Sequence, residues 1–98
     1  MTSKQRAYLK SLASTMDSVF QVGKSSLTSE WIDAVKGVLE TRELIKINVL
    51  KNCMDDPKEI ANSIASCTRS EVVQVIGRKI ILYKQADEKE KRAIILPK

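Results

Sequence analysis

A chain of 98 residues forms one domain around a single modest core, and its 43% apolar and 30% charged residues are ordinary for a folded globular protein. No apolar run approaches the ~20 residues of a membrane span, and the polar start MTSKQR lacks the apolar segment of a secretory signal, so a cytoplasmic location without a membrane partner is expected. Histidine is absent, which removes the usual general base and the commonest metal ligand, while 17 Lys and Arg against 12 Asp and Glu favour a polyanionic partner such as nucleic acid.

Residues 4–13 (KQRAYLKSLA) are expected to form a helix with Tyr8, Leu9 and Leu12 as its apolar stripe and Lys4, Arg6 and Lys10 on more polar sides. Val19 to Val22 reads as a short strand closed by Gly23. A second helix starts near Thr28, an N-cap residue, with Glu30 where the helix dipole favours an anion. Its Trp31, Ile32, Val35, Val38 and Leu39 fall on one face, so Trp31 is expected in the core. ELIKINVL (43–50) alternates as a strand, with Ile45, Ile47 and Val49 opposite Lys46 and Asn48.

DPKE (56–59) starts a third helix: Asp56 caps, Pro57 takes the first helical position and Glu59 completes an acidic analogue of the capping box. Ile60, Ala61, Ile64 and Ala65 supply its buried stripe. EVVQVIGRKIILYK (71–84) reads as two strands joined through a type II′ turn at Gly77-Arg78. Tyr83 is expected to pack within its strand rather than stack on a base. KQADEKEKR (84–92) reads as a charged, mobile segment, a solvated linker or frayed helix, and Ala93 to Leu96 as a further edge strand. Cys53 and Cys67 form neither a CxxC pair nor a disulfide framework and are expected to behave as small apolar residues.

The order α-β-α-β-α-β-β predicts an α/β sandwich on a mixed four-stranded sheet. Its first three strands are joined by parallel crossovers and its last two by a hairpin, with helices over parts of both faces.

Gly23-Lys24-Ser25 matches the end of a nucleotide-binding P-loop, but the first glycine of that motif would fall on Ser18, and a strand occupies the four residues between. ATP binding is therefore not expected. A simpler phosphate site fits: Gly23 for a close turn, Lys24 for charge, hydroxyls from Ser25, Ser26 and Thr28, and the N–H groups of a helix start. An ordinary strand-to-helix turn would have the same sequence. Asp55-Asp56 offers too few ligands for a metal, and no catalytic residue, cofactor or small-molecule substrate is expected.

SKQRAYLKSLA, FQVGKSSLT, RELIKINVL and RSEVVQVIGRKIILYK together resemble the bacterial YhbY family, the stand-alone CRM (chloroplast RNA splicing and ribosome maturation) domain. The resemblance implies a single RNA-binding domain over residues 1–98, similar in fold to the C-terminal domain of bacterial initiation factor three. It also implies association with precursor RNA of the large ribosomal subunit, as an assembly factor rather than an enzyme. The family's Gly-x-x-Gly loop aligns with Gly23 to Ser26, Ser26 standing in for the second glycine. A basic RNA-binding surface is then expected over Lys4, Arg6, Lys10, Gly23, Lys24, Ser25, Ser26, Arg42, Lys46 and Arg69. The alternative is a protein-interaction module that docks on a ribosomal protein or assembly factor through an edge strand and the 84–92 segment. A monomer is assumed.

Overall fold

The computed structural model describes residues 1–24 and 27–97. Its elements follow the expected order: α1 (Ser3–Ala13), β1 (Phe20–Val22), α2 (Ser29–Arg42), β2 (Leu44–Val49), α3 (Pro57–Thr68), β3 (Glu71–Ile76), β4 (Lys79–Tyr83) and a 3₁₀ turn at Lys89–Lys91. The caps explain the helix starts. Thr28 accepts a hydrogen bond from the Trp31 N–H, and Asp56 accepts one from Lys58 ahead of Pro57. A full capping box forms at α1, where Thr2 and Gln5 exchange side-chain and backbone bonds. At α3 the recorded cap bond goes to the second helical N–H, not the third as in the expected box.

The sheet order is β1-β2-β4-β3, with β1 parallel to β2 and β4 antiparallel to both of its neighbours. Hence β1, β2 and β3 run the same way, with β4 inserted between β2 and β3. Gly77 has a φ of +56° while Arg78 stays out of the positive region, which fits the first and second positions of a II′ turn.

Helices cover both faces. On one, Val35 and Leu39 of α2 and Ile60, Ala61 and Ile64 of α3 bury Ile45, Ile47, Val49, Ile80 and Leu82. Phe20 meets Trp31 edge to face, with ring centres 5.7 Å apart. On the other face, Leu9 and Ala13 of α1 pack with Leu44, Val73, Ile81 and Tyr83, joined by Met16, Ile94 and Leu96. The buried stripe of α1 is thus Leu9–Ala13, and Tyr8 and Leu12 are exposed, contrary to the expected Tyr8–Leu9–Leu12 face. Both pairs have the i, i+4 spacing of a helix stripe, and the small Ala13 suits the closer approach to the sheet. Cys53 is buried and Cys67 exposed.

A β-bulge lies between Val72 and Gln74. The extra residue resets the alternation, so Val72 and Val75 both pack on the α2/α3 side while Val73 enters the α1 side. Arg6 secures this edge: its Nη1 donates to the carbonyl oxygens of Val72 and Val73, both at 2.7 Å.

Residues 93–96 form no strand. The segment after β4 is held instead by Glu43, the C-cap of α2, which is fully buried at φ +64°. Its carboxylate accepts from the N–H groups of Ala86 (2.8 Å), Ala93 (2.6 Å) and Ile94 (2.9 Å). Glu40 adds bonds from the N–H groups of Asp87 and Glu88, and Lys84 sits 3.1 Å from Asp87. Part of the expected solvated linker is therefore anchored, with Ala86 buried while Gln85 and the charged side chains from Asp87 to Arg92 stay exposed. Burial pushes the Glu43 carboxyl up, but the three N–H donors and the Arg92 charge outweigh it and hold the group below the usual carboxylate value. Burial, reinforced by the Glu43 charge, pushes the Tyr83 phenol up.

Candidate nucleic-acid interface

The carboxyl ends of the three parallel strands lie together at one end of the sheet. Because α2 follows β1 and α3 follows β2, both helices also begin at this end, with their positive dipole ends and the first-turn N–H groups other than those of Trp31 and Lys58, which Thr28 and Asp56 cap. The loops are tied to one another by the backbone: Leu50 N–H donates to Val22 O at 2.8 Å and Val49 N–H to Arg78 O at 2.7 Å. The Arg78 guanidinium adds a bond to Leu50 O at 3.0 Å.

Gly23 and Lys24 occupy this end, directly after β1, and Lys24 is exposed. Ser25 and Ser26 lie outside the described residues. Leu27, the next described residue, has a φ of +51°, a conformation that costs a branched side chain roughly 1 kcal/mol. Three cations that the sequence reading did not include join Lys24 here: Lys51 after β2, and Arg78 and Lys79 at the hairpin, all exposed. The signal that could have found them is topological, since ligands of open α/β sheets gather outside the carboxyl ends of strands. Strand order was not readable from one chain.

The other expected residues do not all converge on this end. Arg42 ends α2 and Arg69 caps the C-terminus of α3 at φ +57°, so both stand at the opposite end of the sheet. There Arg69 lines a groove of about 240 Å³ with Lys36, Glu40, Lys84 and Asp87, where carboxylates balance much of the positive charge. Lys46 is half-buried on the sheet face covered by α1. Lys4 and Lys10 are exposed on α1, while Arg6, half-buried between them in sequence, spends two hydrogen bonds on the β3 bulge. The expected residues thus lie in three places, the loop end, the α1 side and the opposite end of the sheet, and of these the loop end joins charge to helix N-termini.

Among the described residues, no group of three or more Cys, Asp or Glu is placed to hold a metal, and no helix is long and apolar enough to cross a membrane. Fold and site together define a small α/β domain that presents cationic loops beside two helix starts. The CRS1 / YhbY (CRM) domain model matches residues 1–84, and the chain belongs to that family. It is 41% identical over 97 residues to the Probable RNA-binding protein YqeI of Bacillus subtilis, covering 99% of both chains. An RNA-binding protein of Haemophilus influenzae is 31% identical over 88 residues, 90% of this chain and 89% of the relative. The solution structure of the hypothetical protein SAV1595 from Staphylococcus aureus superposes with a TM-score of 0.78 at 44% identity, covering 99% of each chain.

Proposed function

We propose that this chain is an RNA-binding protein that associates with large-subunit ribosomal precursor RNA and assists ribosome assembly in the bacterial cytoplasm. The observation that carries the reading is the placement of Lys24 at the strand ends, beside the starts of α2 and α3, in a family whose relatives bear RNA-binding names. A phosphate there meets a mobile ammonium, helix N–H groups and the nearby Lys51 and Arg78 charges, a combination that positions backbone without reading sequence. The loop acts as a degenerate Gly-x-x-Gly turn, with Gly23 and Lys24 at its start and Ser26 in place of the second glycine. Lys4 and Lys10 extend the contact along α1, and the role of Arg6 is to hold α1 to the sheet.

Contact with about four phosphates predicts that affinity for large-subunit precursor RNA falls with salt at a log–log slope of roughly −3. The combined Lys24→Ala and Lys10→Ala variant binds more weakly without a change in sequence preference. A salt-insensitive affinity, measured by filter binding across a salt series, refutes the electrostatic account. A second reading, docking on a ribosomal protein or assembly factor, draws on Tyr8 and Leu12, which lie exposed one turn apart on α1. Affinity selection separates the two: nuclease treatment releases co-purified ribosomal components under the first reading and leaves them bound under the second.

A further inference from the structure

Beside the Lys24 loop lies a cleft of about 190 Å³. Its floor is apolar and buried, formed by Val22, Cys53 and Ile60, while Leu27, Lys24 and Asp55 stand exposed around it. The volume is below the ~300 Å³ at which sites for drug-sized ligands begin, and suits one planar ring system. Asp55 is not the helix cap, a role taken by Asp56. Among the described residues its carboxylate makes no hydrogen bond or ion pair.

We propose that this cleft receives a single unpaired guanine base of the bound RNA, read by the Asp55 carboxylate while Lys24 holds an adjoining phosphate. The inference rests on the RNA-binding reading above and adds to it a base-specific subsite. A carboxylate at the rim repels phosphate from the cleft itself, and an apolar floor favours the face of a heterocycle. Ionised Asp55 is acceptor-only, with two oxygens side by side. Guanine alone among the four bases offers two adjacent donors, N1–H and the 2-amino group, on its Watson–Crick edge. Adenine and cytosine place a ring-nitrogen acceptor beside their one amino group, and uracil flanks its N3–H with carbonyl oxygens, so each meets the carboxylate with repulsion as well as attraction. Unpaired bases are the ones whose Watson–Crick edges a protein can read.

The experiment is fluorescence anisotropy with short oligouridylates carrying one central guanosine, inosine or adenosine, at low salt. The wild-type protein should prefer guanosine to adenosine by on the order of tenfold, the range for one bidentate base contact, with inosine, which lacks the 2-amino group, in between. Asp55→Asn should erase the preference, because its amide N–H confronts the guanine donors, and should leave thermal stability unchanged because Asp55 is exposed. Lys24→Ala should weaken all three oligonucleotides equally. Equal affinity of the wild-type protein for guanosine and adenosine oligonucleotides overturns the base subsite and leaves the RNA-binding reading intact. So does tight binding of large-subunit precursor RNA with none of any oligonucleotide. Failure to bind either kind of RNA overturns both.

Discussion

The two ends of the sheet are built on opposite principles. At the Glu43 end, one buried carboxylate gathers three backbone N–H groups from a segment some fifty residues away in sequence, and Glu40 and Lys84 add further bonds. At the loop end, Lys24, Lys51, Lys79 and Asp55 are exposed, and so are Leu27 and Met54, the latter 92% accessible. Charge turned inward holds the fold, because a buried carboxylate is stable only with all its donors in place. Charge turned outward is available to a ligand.

Breaking the inward end should have the largest effect. Glu43→Gln turns an amide N–H toward one of the three donors and removes the charge from the others; at ~1.5–3 kcal/mol for a hydrogen bond to a charged group, a loss of about 3 kcal/mol is expected. Thermal unfolding should then begin on the order of 15 °C lower, and the Ala86, Ala93 and Ile94 amides should exchange faster. The pH dependence has a definite sign. Since the folded state lowers the Glu43 pKa, its contribution is complete above the unfolded carboxyl value of ~4.3 and is lost as pH falls through the lower folded value. The stability gap between wild type and Glu43→Gln should therefore narrow in acid, and a gap that widens there contradicts the assignment.

Arg6→Ala comes next, with about 1–3 kcal/mol lost as the bulge carbonyls of Val72 and Val73 lose their charged donor. Chemical denaturation measures the loss, and RNA affinity per folded molecule should stay unchanged; a large fall in affinity would make Arg6 a phosphate ligand after all. The smallest change in stability, within about 0.5 kcal/mol, is expected for Lys24→Ala. The same variant should lower the salt slope of RNA binding by about one, so it separates the outward end from the inward one.

Much of the local structure was legible in the sequence. Thr28 and Asp56-Pro57 marked two helix starts, Ile45, Ile47 and Val49 marked an alternating strand, and Gly77-Arg78 marked the hairpin. The misreadings share a cause. Tyr8 and Leu9 are adjacent on the α1 helix, and only the sheet beneath decides which of them is covered. Val73 looked like one more residue of a regular strand until the bulge split it from Val75. Glu43 read as the first residue of β2, since a carboxylate at a strand start is unremarkable without its distant donors. For the candidate site, Gly23 and Lys24 were legible from the loop motif, whereas Lys51, Arg78 and Asp55 joined it only through strand order.

The sequence by itself determined the three helices and four sheet strands, the caps at Thr28 and Asp56 and the basic loop, because capping, turn chemistry and hydrophobic period act over a few neighbouring residues. Tertiary structure alone decided that β4 inserts between β2 and β3, that Arg6 and Glu43 face inward, and that three loops meet beside Lys24. Those outcomes depend on contacts between residues far apart in the chain, whose partners are fixed only when the two faces of the sheet are covered.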